Sequence, residues 1–105
     1  MDAIGWLQAW YQTQCDGEWE HHCGIQIETL DNPGWMVTIE LVGTRLEDAA
    51  MEPIGQLEDI NHQGLEGNQD WMVCKVEGSR FVGAGGPLSL VPICEVFRTW
   101  VRSRT

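Results

Sequence analysis

Residues 24–42 read GIQIETLDNPGWMVTIELV, and the reading of this stretch decides the fold. GIQIETL alternates, with Ile25 and Ile27 on one face and Gln26 and Glu28 on the other, the two-residue period of a half-buried strand. WMVTIELV alternates again, setting Trp35, Val37, Ile39 and Leu41 against Met36, Thr38, Glu40 and Val42. Between the two strands, DNPGW carries hairpin-turn chemistry: Asp31 or Asn32 can hydrogen-bond the backbone ahead, Pro33 fixes its own φ, and Gly34 accepts a positive φ. Turn chemistry does not account for Trp35, unless its indole packs under a helix as the first inward residue of the second strand.

Towards the N-terminus, residues 2–14 place Ile4, Leu7, Trp10 and Tyr11 at helical steps, with Asp2 available as an N-cap. Asp16-Gly17 ends that helix, and CDGEWEHHCG reads as a short acidic connection. Beyond the hairpin, residues 44–60 are mixed and interrupted by Pro53 and Gly55, and NHQGLEGNQ has a loop composition. DWMVCKVEG resumes alternation and reads as a central strand, with Trp71, Val73 and Lys75 opposite Met72, Cys74 and Val76. Glu77-Gly78-Ser79 is a tight turn into the strand RFVGAGG. The last stretch sets Leu90, Ile93, Cys94, Phe97, Trp100 and Val101 on one helical face, behind Ser89 as N-cap and with Pro92 in the first turn. Its Arg98, Arg102 and Arg104 suit the negative end of a helix dipole. The expectation is an α+β domain spanning residues 1–105, one antiparallel sheet with the N-terminal and C-terminal helices packed on one face.

The 105 residues carry a formal net charge of −10, from 16 acids against 6 Lys and Arg. This argues against direct nucleic-acid binding, which needs phosphates neutralised, and favours a basic partner. The first 77 residues hold all the acids but Glu95, with only Arg45 and Lys75 opposing them. The opening residues lack a secretory signal and no apolar run could span a membrane, so a cytoplasmic location with reduced thiols is the expectation.

Two chemistries compete for the acidic connection. Cys15, His21, His22 and Cys23 suggest a metal-binding or small-enzyme site, with Cys15 or Cys23 paired to His62 as one variant. Their spacing matches no zinc motif, and adjacent histidines on a strand point to opposite sides. No metal, cofactor or catalytic residue is expected on that ground. GAGG before the last helix lacks the Lys and the register of a phosphate loop, and reads as a tight strand-to-helix passage. The other chemistry is recognition: Asp16, Glu18, Glu20 and Asp31 lie in sequence beside Trp19 and Trp35, a combination that steers a basic partner and holds it by an indole, provided the two turns share a side.

WLQAWYQTQCDGEWEH, GIQIETLDNPGWMVTIEL and FVGAGGPLSLVPICEVFRTWV together resemble the immunity protein 53 family, small α+β proteins of bacterial polymorphic toxin systems. The resemblance runs nearly end to end; its most specific parts are Trp6, Trp10 and Tyr11, the CDGEWEH block and TLDNPGW, while residues 47–68 offer no anchor. It implies a protein that binds a cognate toxin domain and blocks it without catalysis. The resemblance does not specify the toxin. The acid-and-indole reading supplies the candidate toxin-binding residues Asp16, Glu18, Trp19, Glu20, Asp31, Asn32 and Trp35 and makes a basic nuclease one candidate toxin, with the protein acting as a monomer or a homodimer.

Overall fold

The hairpin of residues 24–42 forms one side of a four-stranded antiparallel sheet in the computed structural model, which describes residues 2–55 and 71–104. In chain order the elements are α1 (Ala3–Gln14), α2 (Trp19–His22), β1 (Ile25–Leu30), β2 (Gly34–Glu40), β3 (Met72–Val76), β4 (Arg80–Gly85) and α3 (Leu90–Ser103). The architecture is α+β, as the alternation and helical spacings require. The loop expected at NHQGLEGNQ lies outside the described residues, as do the last five residues, 56–60, of the mixed stretch before it.

Asp2 starts α1 as expected, its Oδ1 accepting the Gly5 backbone N–H at 2.7 Å. Ser89 occupies the N-cap position of α3 without capping it; its Oγ donates instead to the Trp71 carbonyl at 3.2 Å. The acidic connection contains α2, a single helical turn that the Gly- and Glu-rich sequence does not announce.

The sheet order is β1-β2-β4-β3. β3, expected to be central, is an outer strand, and the glycine-rich β4 takes the inner place. The Gly78-Ser79 turn joins β3 to β4, with positive φ at both residues, the geometry that matches strand twist in two-residue hairpins. Ile54 covers the outer edge of β3, exchanging backbone hydrogen bonds with Cys74 at 2.8 and 2.9 Å.

One core joins the sheet to both long helices. Val37, Ile39, Cys74 and Phe81 are fully buried on the inward face and meet Leu7 and Trp10 of α1 and Ile93, Phe97 and Trp100 of α3. Phe97 is the hub: its ring lies edge-on to Trp10 at 5.1 Å and tilted on Phe81 at 5.0 Å. Burying each such apolar side chain contributes about 1.5–3 kcal/mol. The glycines of GAGG serve this packing. A Cβ on Gly83 would collide with Ile93 Cγ2, and one on Gly85 would press on Ser89 Cβ at 2.5 Å, so their bare backbone is what lets α3 settle on β4.

Gly34 also departs from its expected role. Its φ is not among the positive ones; it is the first residue of β2, backed so closely by the Gly85 carbonyl that a side chain has no room. The turn before it contains a cis Asn32–Pro33 peptide.

Candidate binding surface

The residues from Cys15 to Cys23 fold around reciprocal carboxylate contacts. Asp16 Oδ1 accepts the backbone N–H groups of Glu18 and Trp19, both at 2.9 Å. Glu20 reaches back to accept from Asp16 N–H at 2.9 Å and Gly17 N–H at 2.8 Å. Hydrogen bonds from the Trp19 and Glu18 amides hold the Asp16 carboxyl below its usual range, and those from Glu20's own amide, Asp16 and Gly17 do the same for Glu20. Both stay ionised at neutral pH with their carboxylates fixed, and Glu18 stands exposed between them.

Trp19 does not stand beside them at the surface. It is 7% exposed, stacks edge-on against Trp10 at 6.3 Å, and donates its indole N–H to the Val42 carbonyl at 2.9 Å. Its part in any contact is to anchor α2, and with it the carboxylates, to the core.

At the hairpin turn Asp31 is exposed, while Asn32 and Trp35 are half-buried. Trp35 packs partly inward as the first residue of its face, and its indole N–H donates to the Pro87 carbonyl at 2.9 Å. That bond fastens the turn to the loop before α3. Asn32 Oδ1 has no hydrogen-bond partner, so it does not brace the turn as its sequence position suggests. Next to Pro87, Leu88 is 78% exposed, a residue that sequence reasoning passed over because it lies outside the buried face of α3.

The two groups of candidate residues do not share a side. α2 precedes β1 and the turn follows it, so Asp16, Glu18 and Glu20 are separated from Asp31 and Asn32 by the length of a six-residue strand, about 20 Å. The single acidic patch with two indoles is therefore corrected to two acidic ends joined by β1. Charge unites them: between residues 2 and 44 every Asp, Glu, Lys or Arg is an acid, and the first cation is Arg45. Glu40 is paired with Arg80 at 3.0 Å, which leaves the acids of α2, β1 and the turn to set the local field.

The metal-site residues point to other duties. Cys15 Sγ donates to the Tyr11 carbonyl at 3.3 Å, Cys23 Sγ contacts the Val42 carbonyl at 3.8 Å, and His21 and His22 are exposed. Among the described residues no three His, Cys, Asp or Glu side chains gather as a metal ion requires; His62 lies outside them. No helix among the described residues is long and apolar enough to cross a membrane.

The family model described as immunity protein 53 matches residues 4–102, covering both long helices, all four strands and both acidic ends. No curated protein and no solved structure matches the chain.

Proposed function

Because the chain belongs to the immunity protein 53 family, we propose that it binds a cognate bacterial toxin domain and neutralises it by occlusion, presenting the two acidic ends, α2 and the hairpin turn, that β1 joins. The observation that carries this reading is the charge segregation along the chain: α2 and its lead-in hold fixed, ionised carboxylates at Asp16 and Glu20, Glu18 and Asp31 are exposed, and no Lys or Arg precedes Arg45. Such a surface raises the encounter rate with a basic partner and orients it.

The toxin is then a basic domain, and a nuclease fits, since carboxylates take the place of substrate phosphates in its cationic groove. Asp31, Asn32 and Trp35 are contact residues at the turn end. Asp16, Glu18 and Glu20 are contact residues at the other end, with Trp19 positioning them from below. The protein acts by contact and not by catalysis, needs no cofactor, and does its work in the cytoplasm.

The test is calorimetric binding to the catalytically disabled toxin domain encoded beside the gene, at two salt concentrations. Tight association that weakens as salt rises supports the acidic ends as the docking groups. A correctly folded toxin domain that gives no heat at either salt refutes the proposal.

A further inference from the structure

The sheet treats its two outer edges differently. At β3, Ile54 and Cys74 exchange both backbone hydrogen bonds, and Pro53 precedes the bridge. At β1 the Glu40 N–H donates to the Gly24 carbonyl at 3.0 Å, which fixes the phase of the ladder. Antiparallel alternation then bonds Gln26, Glu28 and Leu30 to β2 and turns the N–H and C=O groups of Ile25, Ile27 and Thr29 outward. The same phase recurs across β2 and β4, where the Leu41 N–H donates to the Ser79 carbonyl at 2.9 Å.

Among the described residues nothing pairs with the outward row of β1, and Gln26, Ile27, Glu28 and Thr29 are all exposed. The strand has no Pro and no Lys, and its register with β2 runs without a bulge, so Glu28 is the one charged side chain guarding this open edge. Beside it lies a groove of about 480 Å³ lined by Ile4, Leu7, Tyr11, Cys23, Ile25 and Ile27. Ile4 and Ile27 are 40% and 43% exposed there. Acids bracket the edge, with Asp16, Glu18 and Glu20 before it, Asp31 after it, and Glu28 midway on the face away from the groove.

Resting on the toxin-binding reading above, we propose that β1 is the docking edge for an extended segment of the toxin, which adds to the sheet as a further strand. The occupant follows from the chemistry of the edge. Its backbone meets Ile25, Ile27 and Thr29; its groove-side residues are apolar, against Ile25 and Ile27; its other face carries Lys or Arg opposite Glu28, with further cations flanking the paired stretch. A second copy of this chain fits worse. Antiparallel self-pairing centred on Ile27 sets Asp31 of each copy opposite Cys23 of the other and brings together two chains of net charge −10, with no Lys or Arg between residues 16 and 31 to offset the repulsion.

The experiment is residue-resolved amide hydrogen exchange on the isotope-labelled protein, alone and with the catalytically disabled toxin domain, together with affinities of Thr29→Pro and Thr29→Val. The Thr29 N–H points outward, so the proline removes a donor to the partner and none of the β1–β2 bonds. The expected result is fast exchange at Ile25, Ile27 and Thr29 in the free protein, with protection rising by roughly tenfold or more on complex formation. Thr29→Pro weakens binding by roughly tenfold while Thr29→Val does not. Should Thr29→Pro fail to fold, exchange on the unmodified protein decides alone. Binding without protection at these amides overturns strand addition and leaves toxin neutralisation standing. Protection that appears on concentrating the protein by itself overturns it in favour of a second copy. No binding by the unmodified protein overturns both proposals.

Discussion

The indole N–H of Trp19 donates to the backbone carbonyl of Val42 at 2.9 Å, so the one-turn helix α2 is pinned to the chain just past β2. This bond converts a residue that reads as a surface anchor into part of the core. It also explains how an acidic segment of few residues keeps a fixed shape.

Trp19→Ala should therefore act on stability. It empties a site packed against Trp10 and removes the indole hydrogen bond to the Val42 carbonyl, at a cost of about 3–5 kcal/mol. Thermal or urea unfolding measures it. Trp35→Ala, which removes a half-buried ring and the link to Pro87, should cost about 1–2 kcal/mol. Equal losses at the two sites would contradict the placement of Trp19 inside and Trp35 at the boundary.

Gly83→Ala tests the contact between β4 and α3. The added methyl meets Ile93 Cγ2 and destabilises by about 1–3 kcal/mol, read from the urea midpoint. In combination with Ile93→Ala the cost should fall below the sum of the two single changes, because the truncation removes the colliding atom.

The capping carboxylates give a pH dependence of definite sign. Asp16 and Glu20 are held below their ordinary values of 3.8 and 4.5, by backbone amides in both cases. Their contribution is complete above those values and disappears as the pH falls through the lowered ones. Compared with Asp16→Asn/Glu20→Gln, the unmodified protein should be more stable at neutral pH, with the gap closing in acid. A gap that stayed constant down to about pH 3 would assign these carboxylates no role in folding α2.

Thiol reactivity should divide the four cysteines. Burial, reinforced by Cys94, pushes the Cys74 thiol up to about 12, and burial with Glu95 nearby pushes Cys94 to about 11. Both are at most 1% exposed, while Cys15 and Cys23 are half-exposed. Brief alkylation of the folded protein, followed by mass spectrometry, should modify Cys15 and Cys23 and spare the other two until denaturant is added.

Much of this was legible in the sequence. Two-residue alternation marked β1, β2 and β3, the Gly78-Ser79 pair marked the second hairpin, and the Ile93–Phe97–Trp100 spacing marked the buried face of α3. Strand order was not legible, because alternation reports buried faces and is the same in an outer strand as in a central one, and because the glycines of β4 serve a helix instead of a loop. The placement of the candidate residues was half legible. Acid and aromatic content is visible along the chain, but β1 separates the two acidic groups, and only the tertiary contacts with Trp10 and Val42 show that Trp19 faces inward. The open edge of β1 follows from the ladder phase, which no residue pattern encodes.

Occlusion is the central claim, and titration of toxin activity tests it most directly. The active cognate toxin domain is assayed on its substrate with increasing amounts of this protein. Activity should fall to the background at one equivalent, and substituting Asp31 and Glu18 together should raise the amount required. A toxin that remains fully active while saturated with bound protein would contradict the account.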